Sequence, residues 1–313
     1  MKIAILDDYQ NVATSLADWD SLAAEVAVFS KAFADGDDVV RALAGFDVLV
    51  AMRERTPFPA EVLERLTGLR LLVSTGPVNA AIDVAAARRH GITVCGTGYE
   101  SHPAIEHTWA LILGAARNLP AEAQSMRSGG WQVTVGEGLH GKTLGLLGLG
   151  RVGSGAARVG RAFGMSTIAW SQNLSPETAA EHGARAVTKQ QLFTESDVLS
   201  IHVVLSERTR GLVAAAELRS MKPSAVLVNT SRGPVVDEAA LIGALSEGRI
   251  RGAAIDVFDT EPLPADHQLR SLPNALLTGH VGYVTRDLYT IFYQDAVEDI
   301  AAYQAGSPIR QMG

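Results

Sequence analysis

Residues 143–164 read TLGLLGLGRVGSGAARVGRAFG, and no other stretch restricts the fold as tightly. A short apolar run ends at Gly148, a glycine-rich turn follows, and an Ala- and Gly-rich helical segment begins at once. Gly148, Gly150 and Gly153 keep G-x-G-x-x-G spacing. In a strand–turn–helix unit the first glycine allows the tight turn, the second lets a pyrophosphate approach the backbone, and the third lets the helix pack close to the sheet. The free N–H groups and positive dipole end of such a helix suit phosphates. A bare glycine pattern is weak, but strand before and helix after make it specific. It predicts a dinucleotide site on a parallel sheet.

The same alternation runs along the whole chain. KIAIL, EVAVF, DVLVA, LRLLVS and ITVCG read as strands in the first hundred residues, separated by GDDVVRALAGF, PAEVLERLTG and IDVAAARRHG as helices. Near-continuous apolar strands between helices mean a parallel sheet covered on both faces. A long helix is expected from about Pro103 to Leu119, with proline placed where its missing N–H costs nothing. STIAW, VLSIHV, AVLVNT, GAAIDVF and NALLT continue the second array, and Thr188 with Gln191 forms a capping-box pattern. The last helix, about Arg286 to Gln304, can return to the first array. The expected architecture is α/β, two doubly wound parallel-sheet domains. Residues 1–101 with 284–313 form one, residues 102–283 the other.

Composition narrows the partners. A net charge of -7 with no basic run argues against nucleic acid or an anionic membrane. No apolar run reaches the length of a membrane span. The single Cys95 lies in the apolar run GITVCGT and reads as a buried, inert thiol. The opening MKIAILDD starts a strand directly, so a cytoplasmic location is expected. Scattered histidines without paired Cys or Asp spacing give no metal site; His267 reads as a surface residue.

A dinucleotide fold that prefers NAD usually carries Asp or Glu about twenty residues past the glycine loop, on the ribose. Ser171, Gln172 and Asn173 stand there instead. The carboxylate that would repel a 2′-phosphate is missing, and no Arg or Lys stands in its place. NAD and NADP both remain open, with a lean to NADP or dual use.

Arg232, Glu261 and His280 each lie at or just past a strand end of the second array. In open α/β sheets ligands bind beyond the carboxyl ends of the strands. An Arg fork matches a carboxylate with paired hydrogen bonds. Histidine can deliver a proton to a carbonyl oxygen near neutral pH, and a carboxylate on its other ring nitrogen orients it. Singly, each has a plainer reading as a surface ion-pair partner, a solvated loop residue and a turn residue. Together they form a candidate catalytic set for a 2-keto acid.

At this point a resemblance emerges. AIEHTWALIL, GKTLGLLGLGRVG, SIHVVLSERTRGLV, MKPSAVLVNTSRGPVVDEAAL, GAAIDVFDTEPLP and LLTGHVGYVT together resemble the D-isomer-specific 2-hydroxyacid dehydrogenase family, in its order and over nearly the full length. The resemblance implies a flavodoxin-like substrate domain, a Rossmann nucleotide domain and a homodimer built on the latter. It implies that Arg232 binds and polarises the substrate, that Glu261 pairs with the histidine and that His280 is the acid/base. It implies nicotinamide contacts from Thr108 and around His202, Thr230 and Asp256. Further cofactor contacts are expected from Arg151, Val152, Val203, Thr209, Ser231 and Gly282.

Some positions depart from the family pattern. In STGPVNAAID the usual glycine-rich carboxylate loop contains Pro77, which has no N–H to donate, and Val78 where glycine is usual. Gly76, Val78 and Asn79 remain the candidate substrate contacts there. Arg53, or Arg55 in the same turn, is a candidate second anion anchor beside Arg232; the plainer reading is a solvated basic turn. Gly279 stands where proline is usual before the histidine, which is expected beside an interdomain hinge with Gly282 leaving the following backbone free. The function implied is NAD(P)-dependent interconversion of a small D-2-hydroxy acid and its 2-keto acid, in a cleft that closes on substrate. Glyoxylate and hydroxypyruvate are the first substrates to test. A dinucleotide-sensing interaction protein on the same scaffold is the alternative. Formate-type oxidation, which pairs the histidine with Gln, is disfavoured by Glu261.

Overall fold

The apolar runs become short parallel strands. The computed structural model describes residues 1–313, which form two units: Met1–Glu100 with Val284–Gly313, and Ser101–Tyr283. The boundary falls one residue before the expected one, at the start of the helix His102–Ala116.

In the first unit, β1 (Lys2–Ile5), β2 (Glu25–Val28), β3 (Val48–Ala51), β4 (Leu71–Ser74) and β5 (Thr93–Gly96) pair in parallel in the order β2-β1-β3-β4-β5. This is the flavodoxin-like order, with its switch point between β1 and β3. Every residue of β3 and β4 is buried, as a sheet covered on both faces requires. Leu49, Leu72, Phe58, Val62 and Leu63 pack in one core cluster. The helix Arg286–Gln304 packs on β4 and buries Phe292, Tyr293 and Ile300. The chain then ends beside β5: Met312 N–H donates to Val94 O at 2.8 Å, and Gly96 N–H to Arg310 O at 2.9 Å. Cys95 is fully buried there, and burial pushes its thiol up to about 12, so it stays protonated.

In the second unit, β6 (Thr143–Leu147), β7 (Ser166–Trp170), β8 (Arg185–Ala186), β9 (Val198–Ile201), β10 (Val226–Asn229), β11 (Gly252–Ile255) and β12 (Ala275–Leu277) form one parallel sheet in the order β12-β11-β10-β9-β6-β7-β8. Counted from β6 this is the dinucleotide-binding order 3-2-1-4-5-6, extended by one strand. Two apolar clusters cover its faces. The helix Arg151–Ala162 approaches His102–Ala116 closely because Gly155 has no side chain: a Cβ there would lie 2.2 Å from Ile105 Cδ1. Thr188 and Gln191 make the expected reciprocal capping box at the helix Lys189–Glu195. No helix is long and apolar enough to cross a membrane.

Candidate active site

Six of the seven strands of the second sheet end level with one another. Trp170, Leu147, Ile201, Asn229, Ile255 and Leu277 are register partners across β7, β6, β9, β10, β11 and β12. The next residue on each strand is therefore Ser171, Gly148, His202, Thr230, Asp256 and Thr278, one polar or glycine position per strand. At ordinary strand spacing of ~4.8 Å the row is roughly 24 Å long. Five of the six are residues that the sequence assigns to the cofactor.

The glycine loop fits a pyrophosphate. Gly148 has φ 98°, and a Cβ on it would lie 2.7 Å from His202 O, so the turn presses against the end of β9. A Cβ on Gly153 would lie 2.2 Å from Gly148 O. A Cβ on Gly150 would meet no protein atom within 4 Å, so the space beside it faces outward. Gly150 is the N-cap of the Arg151–Ala162 helix and no side chain caps that end. Val152 is partly buried in front of the adjoining core, while Arg151 is exposed. At the end of β7, Gln172 and Asn173 are exposed and Ser171 half-buried, with no carboxylate among them.

Thr108 and Thr230 share a hydroxyl hydrogen bond of 2.8 Å, and Thr108 Oγ1 donates to Ala104 O. Burial pushes the His202 imidazole down to about 4, so it is neutral at pH 7, with Nε2 2.9 Å from Ser200 Oγ. Ser231 Oγ donates to Val203 O, tying the β10 turn to the β9 turn. Thr209 Oγ1 donates to Val204 O at 2.6 Å and accepts from Ser206 N–H, closing the loop after β9 on itself.

Arg232, Glu261 and His280 follow β10, β11 and β12, three adjacent strands. Asn229, 1% exposed, braces the Arg232 turn: its Nδ2 donates to Arg232 O at 3.0 Å and its Oδ1 accepts from Ser231 N–H at 3.0 Å. Nothing in the sequence marks Asn229, since a strand-end Asn reveals its partners only once the turn is built. Gly233 brings this turn onto the next one, because a Cβ on it would lie 2.1 Å from Phe258 C. Phe258 N–H in turn donates to Glu261 Oε1 at 2.9 Å, and Glu261 Oε2 lies 2.6 Å from His280 Nδ1. A carboxylate can only accept, so His280 carries its proton on Nδ1 toward Glu261 and turns Nε2 outward as the exchangeable nitrogen. Tyr283 packs edge-on against the imidazole, centroids 5.6 Å apart.

His280 has φ 54°, a left-handed conformation that non-glycine residues rarely adopt. Asp256 holds it there: its carbonyl accepts His280 N–H at 2.7 Å, and its carboxylate accepts Val281 N–H and Gly282 N–H, both at 2.9 Å. Thr278 Oγ1 adds a 2.5 Å bond to the same carboxylate, and His107 Nε2 lies 3.2 Å from it. Burial works to raise the Asp256 carboxyl, but the hydrogen bonds from His107, Thr278 and Val281 outweigh it and hold the group below its ordinary value. Gly282 is thus pinned rather than free; a Cβ on it would lie 3.1 Å from Asp256 Oδ2. Gly279 meets nothing within 4 Å.

In the first unit, the candidate substrate residues are largely engaged by neighbouring turns of the same unit. Arg53 donates from Nη1 to Thr75 O, lies over the Tyr99 ring at 5.1 Å, and crosses Gly76 so closely that a Cβ there would overlap it. Arg55 donates to Asp7 O and lies over the Tyr9 ring. Gly76 N–H donates to Thr97 Oγ1, and the buried Asn79 amide holds Arg53 O, Ser74 Oγ and Ala81 N–H. Val78 is 68% exposed. His267, expected at the surface, is half-buried instead, with Nε2 3.0 Å from Glu238 Oε1 and Nδ1 accepting from Leu269 N–H.

The description "D-isomer specific 2-hydroxyacid dehydrogenase, NAD binding domain" matches residues 109–282, more than half of the chain. The chain belongs to this family. Among curated relatives, a glyoxylate reductase from Aeropyrum pernix is 40% identical over 256 residues, 79% of this chain and 76% of that protein. A D-3-phosphoglycerate dehydrogenase from Archaeoglobus fulgidus is 34% identical over 277 residues, 88% of this chain and 52% of its own length. Among solved structures, a phosphoglycerate oxidoreductase from Vibrio cholerae superposes with a TM-score of 0.93 at 38% identity, covering 98% of this chain and all of that one. All three bear the names of oxidoreductases. This D-2-hydroxyacid dehydrogenase is an NAD(P)-dependent enzyme acting on the CH–OH group of small hydroxy acids. No finding favours the non-catalytic alternative.

Proposed function

We propose that the protein interconverts a small D-2-hydroxy acid and its 2-keto acid with His280 as acid/base, and that glyoxylate or hydroxypyruvate is turned over in the reductive direction. The observation that carries this reading is the level row of strand ends, which sets the glycine loop, Arg232, Glu261 and His280 along one edge of one sheet. A bound nicotinamide supplies or takes up the hydride at C2. The chain's own residues do the rest. The Arg232 fork holds the substrate carboxylate and polarises the neighbouring carbonyl. His280 gives the Nε2 proton to the carbonyl oxygen during reduction and takes it back in oxidation. Glu261 keeps the ring turned and balances the imidazolium charge.

Gly148, Gly150 and Gly153, with the uncapped helix start at Arg151, hold the pyrophosphate. The uncharged Ser171, Gln172 and Asn173 accept either ribose, which favours NADP or dual use. Exposed Leu119, Met126, Trp131, Val133 and Val135 lie on one segment of the nucleotide-binding unit. Apolar side chains so concentrated call for a partner, and a second copy of the chain in the cytoplasm is the occupant we assign. The test is a spectrophotometric screen of 2-keto acids with NADH and NADPH. Oxidation of reduced cofactor with glyoxylate or hydroxypyruvate is expected; silence with every 2-keto acid would overturn the proposal.

A further inference from the structure

His107 sits on the helix His102–Ala116, far in sequence from the residues that do the chemistry, and helix-face histidines are usually packing residues. Its contacts here are specific. Nε2 lies 3.2 Å from Asp256 Oδ1 and 3.0 Å from Thr278 Oγ1. The tautomer follows from counting hydrogens. Asp256 can only accept, and Thr278 spends its single proton on Asp256 at 2.5 Å. The proton between the ring and these two oxygens therefore belongs to His107 Nε2, which donates.

Asp256 is 1% exposed and stands at the centre of the loop that bears His280. Its carboxylate gathers Thr278 Oγ1, Val281 N–H and Gly282 N–H, on both sides of the histidine, while its carbonyl takes His280 N–H. A buried carboxylate remains an acceptor for several donors only while it is ionised and fully hydrogen-bonded. His107 supplies the donor that comes from outside this strand-and-loop segment, reaching it from the helix His102–Ala116.

We infer that His107 is a positioning residue for the reaction: through Asp256 it fixes the left-handed backbone of His280, and so the direction in which the catalytic ring points. This rests on the reading of His280 as the acid/base. Without the His107 donor the loop relaxes toward ordinary backbone angles and the imidazole drifts from its proton-transfer position. A displacement of about 1 Å at a reacting group costs on the order of a hundredfold in rate.

The full-length enzyme tests this with glyoxylate as probe. His107→Leu keeps the volume and removes the donor; His107→Gln returns an N–H near the position of Nε2. His107→Leu is expected to lower kcat by about tenfold to a hundredfold, leave KM within about threefold, and raise the solvent deuterium isotope effect on kcat as proton transfer becomes limiting. His107→Gln is expected to recover most of kcat and the original isotope effect. Thr278→Val, which removes a different donor to the same carboxylate, is expected to reproduce the Leu phenotype, and it decides the matter if His107→Leu does not fold. Unchanged kcat and isotope effect in His107→Leu, or a Gln variant no better than Leu, would overturn the inference. His280→Ala, measured in parallel, separates the two claims. If it retains turnover, the acid/base reading fails; if it is inactive while His107→Leu is normal, only the positioning role fails.

Discussion

Glu261 Oε2 and His280 Nδ1 stand 2.6 Å apart, and the other Glu261 oxygen is anchored by Phe258 N–H at 2.9 Å. The carboxylate is thereby held at both ends, and the imidazole has one orientation in which to meet a substrate. Glu261→Gln retains the shape and loses the charge that balances the imidazolium. It is expected to lower kcat by about tenfold to a hundredfold while dinucleotide affinity is unchanged. Steady-state kinetics with a binding titration checks this; an equal loss in dinucleotide affinity would place Glu261 in the cofactor site instead.

The glycines of the loop separate fold from function. Gly150→Ala puts a methyl group where no protein atom lies within 4 Å, at φ -75°, which alanine tolerates. The variant should keep its Tm and lose at least about tenfold in NAD(P)H affinity, because the methyl group enters the pyrophosphate space. Gly153→Ala drives a methyl into Gly148 O and should lower Tm as well. Fluorescence titration beside thermal melts distinguishes them. A Gly150→Ala enzyme with normal affinity would remove the phosphate from this turn.

Arg232→Lys keeps the charge and loses the fork. The variant should show a KM for the keto acid raised by about tenfold or more, with a further loss in kcat from the weaker polarisation of the carbonyl. Initial rates over a range of keto acid measure it. Unchanged kcat/KM would mean that the carboxylate is held elsewhere.

The first sheet and six strands of the second are legible in the sequence because each is a short apolar run; the edge strand β8, only Arg185–Ala186, has no such run and is not. Capped pieces such as Glu238–Ser246, where Asp237 accepts from Ala240 N–H, carry an end signal but little periodicity between apolar and polar positions, and escaped notice. The strand-like tail at 310–312 has no local signal, since its partner is β5. The same division runs through the site. Gly148, Gly150 and Gly153 belong to one local motif, and Arg232, Glu261 and His280 follow strand ends and stand out only when taken together. Asp256 and Asn229 act as struts whose partners lie in other segments or in turns not yet built. Asn79, a candidate substrate contact, is buried and spends its side chain on Arg53 O in the turn after β3, on Ser74 Oγ and on Ala81 N–H, since buried polar groups are paired.

The first unit has a pH-sensitive element. Burial pushes the Asp299 carboxyl up to about 6 from its ordinary 3.8, against the opposing pull of Arg310, whose Nε lies 2.9 Å from Oδ1; Oδ2 is buried without a partner. The folded chain thus holds this proton more tightly than the unfolded chain. The associated stability is fully present below about pH 4 and is lost as pH rises through about 6. In Asp299→Asn that contribution disappears, so the Tm of the wild type relative to the variant should fall between pH 4 and 6 and then level off. A difference that does not vary with pH would show that Asp299 titrates normally.

Single-turnover reduction of glyoxylate by His280→Ala isolates the proton transfer assigned to His280. The rate of cofactor oxidation should fall by at least about a thousandfold, with NADH and NADPH binding intact and Tm near that of the wild type. A single-turnover rate within about tenfold of the wild type would contradict that assignment.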